Sequence, residues 1–148
     1  MVKKTQTLNM LIDLARTDMD DAARRLAQLV EARRGAEQQL EALHSYRKDY
    51  AERLLQETKT GLTASNYHNF RQFIATLDDA ISQQNTILEQ MDAKLRTGQE
   101  SWKAEKRRLS SFETLQTRQL RQEAVHESRR EQRMNDEISA RGFRGLGL

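Results

Sequence analysis

Lys59-Thr60-Gly61-Leu62-Thr63-Ala64-Ser65-Asn66 is the stretch that decides how this chain folds. Gly61 suits the left-handed residue that ends a helix. Thr63 or Ser65 suits the N-cap of the next one. No other strong turn signal occurs before Gly142. A single short loop between two long amphipathic stretches makes them antiparallel neighbours.

Upstream of the loop, apolar residues alternate at four-residue and three-residue steps. They are Leu8, Ile12, Ala15, Met19, Ala22, Leu26, Leu29, Ala36, Leu40, Leu43, Tyr50 and Leu54, and only Arg33 and Arg47 break the series. A mean repeat of about 3.5, held over this many turns, is the seam of a left-handed coiled coil. An ordinary surface helix, at 3.6 per turn, drifts off such a seam. Downstream, Phe70, Ile74, Leu77, Ile81, Leu88, Met91, Leu95, Trp102, Leu109 and Phe112 follow the same steps, with Gln84, Gly98 and Glu105 as breaks. After Phe112 the apolar seam fades.

The expected fold is all-α: a long two-helix antiparallel coiled-coil hairpin whose second helix is longer and overhangs. Residues 1–140 form a single hairpin, with a helix over about 6–58, a loop at 59–64 and a helix over about 65–139. Residues 141–148, rich in glycine, read as a flexible tail. At 1.5 Å per residue the arms measure ~75 Å and ~110 Å. With the loop centred near Gly61 and Leu62, residue i faces about 123 minus i. The last ~25 residues of the second helix then have no partner in the hairpin. Gly35 and Gly98 each cost ~1 kcal/mol inside a helix and read as tolerated points.

Composition narrows the function. Among 148 residues there is no Pro and no Cys, 32% are charged and 5% aromatic. Such a chain favours long helices over a globular core. Lack of cysteine excludes disulfides and thiolate metal sites. No apolar run approaches membrane-spanning length, and the Lys-bearing start has no apolar stretch behind it. The reading is a cytosolic protein in a reducing compartment. Twenty-five basic and 22 acidic residues are interspersed, which is a solvated mixed surface and no nucleic-acid footprint. Trp102 beside Lys103–Arg108 is a weak nucleic-acid signal, and its seam position reads as core.

Chemistry is missing too. There is no Gly-rich phosphate loop, no His-Glu-x-x-His and no nucleophile elbow. His44, His68 and His126 are far apart and form no ligand pair. The expectation is a protein that is not an enzyme and holds no cofactor and no metal.

Two regions stand out as binding surfaces. Near the loop, Gln39, Leu43, Tyr46 and Tyr50 recur at four-three-four spacing, as do Phe73, Leu77, Ala80 and Gln84. In the antiparallel register the two stripes lie at matched heights. Tyr46 and Phe73 fall off the seam. Either these rings widen the seam near the loop, or they form an exposed patch for a partner. The second region is the overhang, where Arg118, Arg121, Arg129, Arg130 and Arg133 sit among Glu123, Glu127 and Glu131. It is either a solvated face with i,i+4 pairs or a helix that a partner wraps.

The ordered series of residues resembles the flagellar export FliJ family. It includes Asp20-Asp21-Ala22-Ala23-Arg24, Gly61-Leu62 with Ser65-Asn66, Asn69-Phe70-Arg71-Gln72-Phe73-Ile74 and Thr76-Leu77. Ser101-Trp102-Lys103 and Leu115-Gln116-Thr117-Arg118-Gln119 continue it, so the likeness runs from about residue 8 to about 135. The resemblance implies an antiparallel coiled coil similar to the central stalk of rotary ATPases. It would belong to the cytoplasmic part of the flagellar type III export apparatus, peripheral at the cytoplasmic face of the inner membrane.

The open end of such a stalk enters the hexameric ring of the export ATPase and promotes its assembly and activity. The resemblance points there to Leu8, Leu11, Ile12, Leu115, Arg118, Arg121, Arg129 and Arg130. The hairpin tip binds the cytoplasmic domain of the export gate protein FlhA. The family's gate face falls on Gln39, Leu43, Tyr46, Tyr50, Phe73, Leu77 and Ala80, with Gln84 where some relatives carry His. Export chaperones are further implied partners. On this reading Phe73→Ala with Leu77→Ala weakens gate binding and leaves helicity nearly intact. An escort for export substrates, the equivalent stalk of a virulence secretion system and a plain coiled-coil spacer are the alternatives.

Overall fold

The computed structural model describes Val2–Leu146. Two helices, α1 (Val2–Thr60) and α2 (Ala64–Leu146), are joined by Gly61-Leu62-Thr63. Gly61 has φ of 95°, a conformation that costs a residue with a Cβ about 1–2 kcal/mol. Thr63 is the N-cap: its Oγ1 accepts the Asn66 N–H at 3.2 Å, and its carbonyl accepts the Tyr67 N–H at 3.0 Å. Ser65 lies inside the first turn. At the other side of the loop, Lys59 sits in the last turn of α1, where a cation complements the exposed carbonyls.

Among the described residues the fold is an all-α antiparallel coiled-coil hairpin with a longer second helix. Its ends extend beyond the spacing-based bounds. The first helix begins at Val2, not about residue 6, and the second continues through residues 141–146, which had read as a tail. Gly142 weakens a helix by only ~1 kcal/mol, and no Pro is present to stop one. Gly147 and Leu148 lie outside the described residues.

By its contacts the chain divides into two units, Met1–Met19 with Ala104–Leu148, and Asp20–Lys103. A pair of helices touches only at matched heights and has no common centre, so one expected hairpin separates into two contact groups.

Within Asp20–Lys103 every seam position on both helices is buried or half-buried. Ala22, Ala36, Leu77 and Ile81 are the most enclosed apolar residues. The apparent breaks are paired across the seam. Arg33 Nε donates to Asp92 Oδ1 at 2.5 Å, and Arg47 donates to Asp78. Gln84 is 8% exposed, and its Nε2 donates to the Ala36 carbonyl at 2.8 Å and to Gln39 Oε1 at 3.2 Å. A buried amide with one matching set of acceptors favours a single register. Gly98 is a close-approach point: a Cβ there would stand 3.2 Å from Leu29 Cδ1 and 3.5 Å from Leu26 Cδ1.

In the terminal unit, Ile12, Ala15 and Leu109 are buried, with Leu8, Met19 and Phe112 packed against them. Arg108 reaches Asp18 at 3.4 Å. The seam then continues in polar form. Gln116 Nε2 donates to Asn9 Oδ1 at 2.9 Å, and Gln119 Nε2 donates to Thr5 Oγ1 at 3.3 Å. Together with half-buried Glu123, these residues keep the four-three steps beyond Phe112, where the apolar pattern stops. From Ala124 to Gly142 every residue is exposed, as expected of an unpaired overhang.

Candidate partner-binding surfaces

The tip stripes resolve into a surface and a support. Tyr46 is 60% exposed and Phe73 42%, and Gln39 is exposed as well. Leu43, Tyr50 and Ala80 are half-buried. Leu77 and Gln84 lie in the seam at 7% and 8% exposure, too enclosed to meet a partner directly. The rings are ordered by contact. Tyr50 packs on Phe73 with centroids 4.4 Å apart, and on Phe70 at 6.0 Å. Arg53 lies over the Tyr50 ring, 5.8 Å from its centroid. Phe73 is thus packed on Tyr50 on one side and open to solvent on another. Gln84 reaches Gln39 from below, fixing a polar edge beside the aromatic one. Of the sites named from the resemblance, Tyr46, Phe73 and Gln39 are the exposed ones.

At the open end, Leu8, Leu11, Leu115 and Arg118 line one groove of about 1000 Å³ together with Lys3, Lys4 and His126. Leu115 is 49% exposed, so α2 shows an apolar residue there. Ile12 is 5% exposed and belongs to the core behind this groove. Arg118, Arg121 and Arg129 flank Val125 along a smaller groove of about 410 Å³ on α2. Arg130 is exposed and lies outside both grooves. The open end therefore presents leucines rimmed by cations.

What spacing alone did not reveal are the partners of the seam arginines. Asp92 and Asp78 each follow a seam residue, Met91 and Leu77, and both fall close to the heights expected opposite Arg33 and Arg47. That proximity is the sequence signal that could have found them. The Arg47 hydrogen bond holds the Asp78 carboxyl below its ordinary range, with a smaller opposing effect of lost hydration and a further lowering by the Arg47 charge. A lowered folded-state value contributes stability above the ordinary Asp range and loses it as pH falls through the lowered value. NMR titration of Asp78 should therefore show a midpoint below that of an unpaired Asp, and Arg47→Gln should raise it. An unchanged midpoint in that variant would remove the pair as the cause.

No cluster of His, Cys, Asp or Glu among the described residues could hold a metal ion. None of the described helices is long and apolar enough to cross a membrane. Fold and surfaces define a class: a two-helix coiled coil whose recognisable features are an aromatic tip strip and a basic open end.

Comparison with known proteins makes the assignment specific. The family described as Flagellar FliJ protein matches residues 4–147. The Flagellar FliJ protein of Escherichia coli (strain K12) is 36% identical over 131 residues, which cover 88% of this chain and 89% of that one. Its counterpart from Salmonella typhi is 36% identical over 134 residues, covering 90% and 91%. The chain belongs to the flagellar FliJ protein family. Among solved structures, one described as a YscO homolog from Chlamydia trachomatis has a TM-score of 0.77 at 14% identity, covering 97% of this chain and 90% of that one. It shares the fold.

Proposed function

We propose that this chain is a stalk-like component of the flagellar type III export apparatus. It works at the cytoplasmic face of the inner membrane, coupling an export ATPase ring to the export gate without catalysing a reaction itself. The open end, with Leu8, Leu11, Leu115 and the cations Arg118, Arg121 and Arg129, enters the ring and promotes its assembly and turnover. An asymmetric helical pair inside a ring meets the subunits unequally, and so biases which of them close. The tip strip binds the cytoplasmic domain of FlhA through Tyr46, Phe73 and Gln39. Leu43, Tyr50 and Ala80 form its half-buried border, and Leu77 and Gln84 hold it from beneath.

The observation that carries this reading is the tip: two exposed aromatic rings off the seam, Tyr46 and Phe73, the second packed on Tyr50, with no third element among the described residues to cover them. Exposed rings on a rigid support are the usual anchors of an interface. The decisive experiment measures hydrolysis by the purified export ATPase with and without the chain, and capture of the FlhA cytoplasmic domain. Expected are a higher rate with the chain, and gate binding that falls by at least about tenfold in Tyr46→Ala with Phe73→Ser. Unchanged hydrolysis defeats the stalk. Unchanged capture by the double variant defeats the tip.

A second reading has one observation in its favour. The overhang exposes Val125, Met134 and Ile138, with Leu120 exposed just before it, a surface that suits apolar helices of export chaperones or their cargo. An escort binds several unrelated export subunits and leaves ATPase turnover alone, so the same assay separates the two. The corresponding stalk of a virulence secretion system would act on that system's ATPase instead.

A further inference from the structure

We infer that the hairpin tip has a second docking groove, on the flank opposite Tyr46, which takes an acidic amphipathic helix of a partner protein. Two faces leave the seam near the loop. Gln39 and Tyr46 lie on one side, with Phe73 and Ala80. Ala51, Leu55 and Thr58 lie on the other, with Tyr67, Arg71 and Asp78. This second face encloses a groove of about 600 Å³ between α1 and α2. Its floor is apolar, formed by Ala51, half-buried Leu54 and Ile74, and Ala75. Its walls carry Leu55, 62% exposed, and Tyr67, 44% exposed. Nothing in the proposed tip strip or open end uses these residues.

The spacing defines the shape of the occupant. Ala51, Leu55 and Thr58 on α1, and Tyr67, Arg71, Ile74 and Asp78 on α2, recur at three- and four-residue steps. Two such rows side by side form holes for the knobs of a third helix. An amphipathic helix laid into an apolar groove is a standard recognition mode.

Charge defines its chemistry. The lining holds three cations, Arg47, Lys59 and Arg71, against one carboxylate, Asp78. Asp78 is already engaged by Arg47, whereas Lys59 and Arg71 carry no ion pair among the described residues. They stand one on each helix, at the rim of an apolar floor, where a carboxylate flanking a leucine row would meet them. A second copy of this chain fits poorly. Its unpaired α2 segment, residues 124–142, sets Arg129, Arg130, Arg133 and Arg141 against Glu127, Glu131, Asp136 and Glu137, so it offers no net acidic face to Lys59 and Arg71.

The test uses the full chain and a fluorescent peptide of about 20 residues, long enough to be helical, with leucines at four-three steps flanked by glutamates. A twin peptide has lysine for every glutamate. Fluorescence anisotropy should show the glutamate peptide binding and the lysine peptide not. Leu55→Asp and Arg71→Glu should each weaken binding by at least about tenfold, and Tyr46→Ala should leave it unchanged. Both substituted positions are exposed, and circular dichroism of the variants provides the check on folding. Equal binding of the two peptides, or no loss in the variants, overturns the groove. So does loss of binding in Tyr46→Ala, which would place the peptide on the tip strip. Sedimentation showing that the free chain self-associates through Leu55 would assign the face to a second copy and equally overturn the proposal.

Discussion

Leu77→Ala should destabilise the Asp20–Lys103 unit by about 2–3 kcal/mol, while Tyr46→Ala should change it by less than about 0.5 kcal/mol. Both positions belong to the strip named for gate binding, yet they differ in burial. Leu77 is 7% exposed and packs in the seam, so truncation leaves a void that two helices close only partly. The cost stays at the lower end of the Leu→Ala range because a two-helix layer surrounds a side chain less than a globular core does. Tyr46 at 60% exposure is already mostly hydrated, and removing it leaves no cavity. Urea unfolding followed by circular dichroism measures both. The consequence reaches function: Phe73→Ala with Leu77→Ala, the pair that the sequence suggested, mixes an interface change with a core change. Weak gate binding in that pair could come from a loosened tip. Tyr46→Ala with Phe73→Ser separates the two causes. If Leu77→Ala unfolds no earlier than the parent protein, Leu77 is a surface residue after all, and the division of the strip into presented and supporting residues fails.

The same division shows how far residue spacing carries. The loop was legible because Gly61 and Thr63 have conformational and capping roles that few residues share, and Gly61 φ and the Thr63 cap fill those roles. The seam was legible because four-three steps have one geometric meaning over many turns. Tyr46 and Phe73 were legible as off the seam because they miss those steps, but spacing left open whether the rings widen the seam or stand exposed. Leu77 and Gln84 stand at seam steps, which pointed to their burial, whereas the resemblance placed them in the binding face because it carries positions across but not solvent access. Arg33 and Arg47 looked like interruptions because a charge in an apolar row has no one-dimensional sign of its partner. Asp92 and Asp78 become visible only once register is applied. Gln116 and Gln119 were missed for a related reason: a polar residue at a seam step reads as the end of the seam until a hydrogen-bond partner is seen opposite. Leu55 and Tyr67 raised no signal at all, since single exposed apolar residues are ordinary and only their shared groove makes them notable.

Ala15→Asp should open the terminal unit, at a cost on the order of 3 kcal/mol or more. Ala15 has no exposed surface and sits with Ile12 and Leu109 in the one buried apolar cluster described for that unit. A carboxylate there loses its water and finds apolar side chains. The adjoining polar rungs, Gln116 on Asn9 and Gln119 on Thr5, are exposed or half-exposed and contribute too little to hold the helices together alone. Amide hydrogen exchange should therefore rise across residues 2–19 and 104–119. Spin labels at positions 43 and 80, within the Asp20–Lys103 unit, should stay side by side. Leu14→Asp, one residue away at 52% exposure, should leave exchange nearly unchanged and so controls for the added charge. The sign with pH follows from the burial. Desolvation raises the new carboxyl's folded-state value, so the defect is fully present above that value and shrinks as the group protonates on acidification. If the open end is the part that enters the ATPase ring, Ala15→Asp should also abolish stimulation of hydrolysis while sparing capture of the gate domain. Retained stimulation with an opened terminal unit would mean that paired helices at this end are not what the ring reads.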